Sequence, residues 1–246
     1  IGILTCQLLL SNGCKVIGID VDEWKCSKAM DLGIKTINSS RENSVNNVLS
    51  KTNQSGCDGV IITASTKSND LISDAAKMSR KRGRIVLVGV VGLNLNRSDF
   101  YEKELSFQVS CSYGPGRYDT NYENKGIDYP LPFVRWTEQR NFETVLSLLN
   151  KNAIDVNSLI TKKIPLENFN KIYDNIESNK ILGAILEYSA ETKVNQIKKF
   201  EIPDKIITTQ SSANIGIIGA GNFTKMTILP IMKKIKTNIK SISSNS

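Results

Sequence analysis

Between residues 14 and 110, short runs of β-branched residues alternate with longer amphipathic stretches, and few folds are compatible with that alternation. Residues 15–19, Lys-Val-Ile-Gly-Ile, read as a buried strand with Asp20 directly after it. Residues 23–32 read as a helix closed by Gly33, residues 35–37 as a weak strand, and residues 42–50 as a polar helix. Stronger strands follow at 59–63 and 84–88, separated by a helix over 71–80 and by Gly83. Residues 105–110 alternate in polarity and read as an edge strand. Strands separated by helices must be joined by crossovers, so they lie parallel in a sheet covered on both faces. The expected fold class is α/β, a Rossmann-like doubly wound parallel sheet.

The two ends of the chain qualify that expectation. Residues 1–10 are an apolar helix entered through Gly2 with no strand ahead of it. Asp20 sits about 20 residues past that turn, where an acidic side chain of a nucleotide-binding βαβ unit accepts the adenosine ribose hydroxyls. Near the other end, Ile215-Gly-Ile-Ile-Gly-Ala-Gly-Asn-Phe-Thr224 sets a strand, a Gly-x-Gly turn and a helix start in succession. Glycines at such a turn let the backbone approach a pyrophosphate, and the helix N-terminus offers it amides. The chain is therefore expected to be an internal fragment of a longer polypeptide. Residues 1–188 would hold most of one dinucleotide domain with its first strand missing, 189–213 a polar linker, and 214–246 the opening βαβ unit of a second Rossmann domain. Without a first strand, the strands at 15–19 and 59–63 would lose their common neighbour and leave unpaired edges. The isolated chain should then be marginally stable, inactive, and a poor binder of NAD.

Position in the sheet marks further candidates. Ala64, Val88 and Gly89 follow strands at the carboxyl edge, where ligands bind in such folds, and small residues there leave room for adenine and nicotinamide. Asp20 would repel a 2′-phosphate, which favours NAD over NADP. Gly219, Gly221 and Asn222 would line the pyrophosphate in the second unit. The strand there ends at Ser243 without a carboxylate, so the choice between NAD and NADP stays open for that domain. Residues 112–136 break the rhythm and read as a long aromatic loop, either packed surface or a substrate or domain contact. Residues 137–150 read as a helix with Phe142, Val145, Leu146 and Leu149 on one face. A strand at 159–164, a helix after Pro165 with Leu166, Phe169, Ile172, Tyr173 and Ile176, and a strand at 183–188 follow.

Lysine and arginine outnumber the acidic residues by 32 to 24, a formal +8 that would suit an acidic partner. The basic residues are scattered, however, and Arg80-Lys81-Arg82 and Lys233-Lys234 fall at expected helix ends, where cations complement the dipole. Solvated surface accounts for them, and no nucleic-acid partner is expected. The five cysteines show no Cys-x-x-Cys spacing and the chain has no histidine, so no zinc site is expected within it. Dispersed thiols point to a reducing compartment, and no apolar run is long enough for a bilayer span. A cytoplasmic location with no membrane partner follows as the expectation.

Gly2, Val16-Ile-Gly-Ile-Asp20 with Lys25, Val60-Ile-Ile-Thr-Ala64, Gly83-Arg-Ile-Val-Leu-Val-Gly89 and the closing runs from Pro165 and Leu182 occur in a familiar order. In that order, residues 1–188 resemble the carboxyl-terminal part of a medium-chain dehydrogenase/reductase of the zinc-type alcohol dehydrogenase superfamily. Residues 214–246, with Gly219, Gly221, Asn222 and Leu229-Pro230, resemble the start of a glucose-fructose oxidoreductase/inositol dehydrogenase (Gfo/Idh/MocA) protein. Thr224 stands where that fingerprint has Gly or Ala, which should crowd helix against strand. The resemblance implies Lys25 as a second ribose contact, an exposed helix lysine being the alternative. It implies an NAD(P)-dependent oxidoreductase acting on a sugar, sugar nucleotide or polyol-like alcohol in surface-polysaccharide biosynthesis. A small-molecule substrate and a homo-oligomer are the partners it implies, and a non-catalytic NAD-binding sensor or scaffold is the alternative reading. The catalytic residues of both families lie outside the matched segments, so none is assigned.

Overall fold

The computed structural model describes residues 1–173, 180–188, 214–235 and 237–243, and the chain divides into two compact units, Ile1–Ser189 and Ala190–Ser246. In the first, α1 (Gly2–Ser11) leads to β1 (Ile17–Asp20), α2 (Glu23–Asp31), β2 (Lys35–Asn38), α3 (Ser44–Lys51) and β3 (Cys57–Ile62). Then come α4 (Asp70–Met78), β4 (Ser79–Leu87), α5 (Arg97–Tyr101) and β5 (Ser106–Val109). The starts of α2 and α3 are set by side chains: Asp22 and Asn43 accept from the amides of Trp24 and Asn46, first-turn donors with no acceptor inside the helix. Gly33 ends α2 at φ +76°, a left-handed conformation that glycine takes without strain.

The described strands of this unit form three separate sheets, of which the first two concern β1 to β5. β1 and β2 pair parallel, with Asp20 beside Asn38, and β3, β4 and β5 pair parallel in that order, so β5 is an edge strand. Among the described residues no strand pairs with the other edge of β1 or of β3. Helix α1 touches both sides of this break: Cys6 Sγ lies 3.8 Å from the Cβ position of Gly18, and Thr63 Oγ1 lies 3.1 Å from that of Gly2.

Two clusters hold the layers together. Ile62, Ile72, Ala75, Ala76, Ile85 and Leu87 close α4 onto β3 and β4, with Phe100 and Phe107 meeting edge to face beside them. Each fully buried isoleucine there stabilises the unit by about 1.5–3 kcal/mol. Ile37, Val48 and Met78 form the second cluster with Ile17, Val45 and Cys57, tying the β1–β2 pair to the end of α4. Consecutive residues of β1 therefore meet different helices, Ile17 the α3 side and Gly18 the α1 side. Helices cover both faces, as a doubly wound sheet requires.

Three expectations are corrected. The helix over 71–80 ends at Met78, and Ser79–Leu87 is one strand, irregular near its start, with Ser79 opposite Cys57 and Arg82 at φ +57°. Arg80 and Arg82 thus lie on a strand, paired with Asp58 and Glu104, and not at a helix end. The last carbonyls of α4 are closed by Lys103, whose Nζ donates to Ala76, Lys77 and Ser79; burial lowers its pKa from the usual lysine range. Second, the 112–136 segment contains a helix, α6 (Thr120–Lys125), begun by Asp119 and ended by Gly126. Asp119 also accepts from Tyr129 Oη at 2.5 Å, and Tyr129 stacks on Tyr122, so the segment folds on itself. Third, α7 (Glu138–Asn150) forms, but its apolar face is open. Tyr113 rests against Phe142, yet Phe142, Val145 and Leu146 remain exposed.

The unit closes with β6 (Ile160–Pro165), a 3-10 turn (Leu166–Asn168), the short α8 (Asn170–Tyr173) and β7 (Gly183–Glu187), which pairs parallel with β6. Buried Gln7 of α1 clasps the Asp155 backbone ahead of β6, donating to its carbonyl at 2.9 Å and accepting from its amide at 2.5 Å. Ile176 and the expected linker at 189–213 lie outside the described residues. The second unit comprises β8 (Asn214–Ile218), one π-helical turn (Thr224–Ile228), α9 (Leu229–Lys234) and β9 (Asn238–Ser243), parallel to β8. No helix among the described residues is long and apolar enough to cross a membrane.

Candidate functional site

The end of β1 presents a carboxylate with room on one side. Asp20 Oδ1 accepts the Asp22 amide at 2.9 Å, and among the described residues nothing engages Oδ2. Asp22 does not compete for that space, because its own carboxylate caps α2. Val21, between them, is 67% exposed and offers an apolar surface beside the acceptor. An open acceptor next to an apolar surface is what the ribose and base of an adenosine require. Lys25 does not pair with Asp20; its Nζ is 4.0 Å from Asp22 Oδ2. Cys26 lies beneath, its Sγ directed at the carbonyls of Asp20 and Ile37; burial pushes its thiol pKa up and the Asp20 charge adds to the shift. It is a neutral packing residue.

β2 brings further polar groups to Asp20 that the spacing argument missed. Ser39 N donates to Asp20 O at 3.0 Å, and Ser40 Oγ donates to Val21 O at 2.7 Å. Asn38 Nδ2 donates to Glu23 Oε2 at 2.5 Å, and Arg41 Nη1 lies 3.4 Å from the same oxygen. A signal was available: in a parallel pair, residues that end neighbouring strands lie side by side, so the turn after β2 had to border Asp20.

Gly2, Ala64, Val88 and Gly89 gather at the ends of β3 and β4. Gly2 places the start of α1 against Thr63. The amides of Val88 and Gly89 both donate to Ile62 O at 2.9 Å, and Val90 N donates to Ala64 O at 3.1 Å. A Cβ on Gly89 would lie 1.9 Å from Ala64 O. The need for glycine there is therefore met locally, by the backbone that follows β3. Val88 keeps an exposed side chain at this edge.

In the second unit, Gly219 has φ +83°, and its amide donates to Ser243 O at 2.8 Å, joining the turn to β9. Nothing lies within 4 Å of the Cβ position of Gly221, so the turn is open there. The amides of residues 222–224 precede the first helical bond, from Lys225 N to Gly221 O, and Asn222 is exposed among them. Thr224 is buried, and its hydroxyl donates to Gly219 O at 3.2 Å, latching helix to turn.

Among the described residues, no group of three or more His, Cys, Asp or Glu side chains could hold a metal ion. Residues 1–124 match the family model described as zinc-binding dehydrogenase. A sorbitol dehydrogenase from Halalkalibacterium halodurans is 24% identical over 197 residues, which is 76% of this chain and 48% of that protein. Alcohol dehydrogenase TADH from Thermus sp. ATN1 is similar in structure, with a TM-score of 0.60 at 21% identity, over 76% of this chain and 49% of that one. A short chain alcohol dehydrogenase from Escherichia coli CFT073, solved with the cofactor NADH, gives 0.56 at 19%, over 76% and 48%. The chain spans about half the length of the relatives it matches. The structural likenesses show the fold: α/β, with parallel strands.

Proposed function

Because the chain belongs to the zinc-binding dehydrogenase family, we propose that its first unit holds the adenosine half of NAD at the end of β1, as part of an oxidoreductase acting on an alcohol or polyol. The observation that carries this reading is Asp20, a carboxylate with one oxygen held by a backbone amide and the other open beside exposed Val21. A ribose diol can donate two hydrogen bonds to such a group, whereas a 2′-phosphate is repelled by it. Gly2, Lys25, Ala64, Val88 and Gly89 complete the binding edge. The nicotinamide supplies the hydride chemistry when bound. The contribution of this chain is to bind and orient it.

The family name also implies zinc, and the residues present do not fit it. The chain has no histidine, its cysteines are dispersed, and the described residues contain no ligand cluster. No zinc-dependent step is assigned to them.

One more parallel strand between β1 and β3 would complete a Rossmann sheet, and α1, touching both sides of the break, is the helix that strand would lead into. The second unit, read as the opening of a Gfo/Idh/MocA-like domain, would bind its own nucleotide through Gly219, Gly221 and Asn222; the open space at Gly221 supports this. A sugar, sugar nucleotide or polyol-like substrate from surface-polysaccharide biosynthesis is supported by the order of the two resemblances along the chain and by the runs Tyr113-Gly-Pro-Gly-Arg-Tyr118, Asp128-Tyr-Pro130 and Val134-Arg-Trp136, which resemble two-domain oxidoreductases of that kind.

Nuclear magnetic resonance titration of the chain with adenosine 5′-monophosphate and with NAD tests the central claim. Binding that is weak, as expected of a chain with an unpaired edge at β1 and β3 among the described residues, but saturable should appear, and Asp20→Ala should weaken it about tenfold or more, the loss of a hydrogen bond to a charged group. Signals that never saturate, or an Asp20→Ala chain that binds as the parent does, would refute it.

A further inference from the structure

Resting on the reading of Asp20 as the adenosine site, we propose that Glu23, by holding Arg41, is a second determinant that keeps the site for a ribose 2′-hydroxyl and closes it to a 2′-phosphate. The turns after β1 and β2 are stitched together by Ser39 N to Asp20 O at 3.0 Å and Ser40 Oγ to Val21 O at 2.7 Å. Arg41 follows directly, on the turn stitched to the end of β1, and its side chain meets Glu23 of the helix that starts just after Asp20. An arginine in this neighbourhood is the group that accommodates a 2′-phosphate in such folds, because its planar fork matches phosphate oxygens in pairs.

Here that arginine is already occupied. Its Nη1 lies 3.4 Å from Glu23 Oε2, and Asn38 Nδ2 holds the same oxygen at 2.5 Å, fixing Glu23 in place. The other nearby cation, Lys25, stands 4.0 Å from Asp22. Both cations thus lean on carboxylates other than Asp20. A 2′-phosphate beside Asp20 would have to draw Arg41 away from Glu23. Asp20 is thus not the whole of the preference. The site contains a phosphate-binding cation that one carboxylate masks.

The pair is also easy to undo. Arg41 and Glu23 are 67% and 54% exposed, so their ion pair contributes little to folding and its removal frees Arg41 without loosening the unit. The test compares adenosine 5′-monophosphate with adenosine 2′,5′-bisphosphate on the parent chain, on Glu23→Gln, and on Glu23→Gln with Arg41→Ala. Glutamine keeps the shape and the Asn38 contact while removing the charge. The parent should favour the monophosphate. In Glu23→Gln the bisphosphate should gain about tenfold relative to the monophosphate, and the gain should shrink with added salt and lose most of its size with Arg41→Ala. No gain in Glu23→Gln, or a gain undiminished by Arg41→Ala, overturns the proposal while leaving the Asp20 reading intact. A parent chain that binds neither nucleotide overturns both.

Discussion

Replacing Gly89 with alanine perturbs the proposed binding edge at a point where the structure has no slack. The added Cβ would lie 1.9 Å from Ala64 O and 2.8 Å from the carbonyl carbons of Ala64 and Thr63. These are backbone atoms, not the tips of flexible side chains, so relief requires the turns after β3 and β4 to move apart. That movement opens the Val90 N to Ala64 O hydrogen bond and disturbs the two amides sharing Ile62 O. Overpacking of this kind costs about 1–3 kcal/mol and a lost backbone hydrogen bond about 1 kcal/mol more, roughly 2–4 kcal/mol together. In a unit of this size each kcal/mol lowers Tm by about 2–4 °C, so a fall of roughly 4–16 °C is expected by circular dichroism melting. Gly59→Ala is the matched control. Its Cβ would meet Arg84 O at an ordinary 3.5 Å, and reduced freedom of the unfolded chain should leave the melt unchanged or slightly higher. The reasoning fails if Gly89→Ala melts within about 1 °C of the parent, or if Gly59→Ala falls as far.

Gln7→Leu keeps most of the side-chain volume but strips both partners from the Asp155 backbone, and urea denaturation should show a loss of about 2–4 kcal/mol. An unchanged midpoint would mean that water or a neighbour replaces the clasp. Acid should weaken the first unit through identifiable groups: a hydrogen bond from Tyr129 Oη holds the Asp119 pKa down, and one from Ser158 Oγ does the same for Asp155. A carboxyl whose folded pKa is depressed stabilises above its unfolded value, about pH 4, and that contribution is lost as pH falls through the folded value. Stability should therefore drop on acidification below about pH 4, and Tyr129→Phe should flatten the share due to Asp119. Parallel pH profiles for variant and parent would contradict the assignment.

The strands of the first sheet were legible because β-branched runs bounded by glycine and polar residues mark them locally, and parallel pairing followed from the helices between them. The junction of α4 and β4 was not legible. Ser79-Arg-Lys-Arg82 carries no apolar alternation, and it forms a strand beside Cys57 while Lys103, more than twenty residues away, closes the helix before it. Helix α6 is similar, fastened by Tyr129 and by the ion pair of Arg117 with Glu123, contacts that local pattern does not show. At the candidate site, spacing put Asp20 at the end of a strand, and the structure has it there. Arg41 required knowing which strand lies beside β1, and the role of Gly89 required knowing how closely two turns approach. The open face of α7 shows the reverse limit: amphipathicity marks which side of a helix wants cover, without saying what supplies it.

Among the described residues all five strand pairings are parallel. None of these pairings is a hairpin, and parallel partners meet only after an intervening crossover has been laid down. Each pairing must first meet the entropy of closing that connection, so the helices form early and the sheets late. During the interval the apolar strand segments are free to pair with those of another molecule. The vulnerable moment for this protein is the delay before its sheets close.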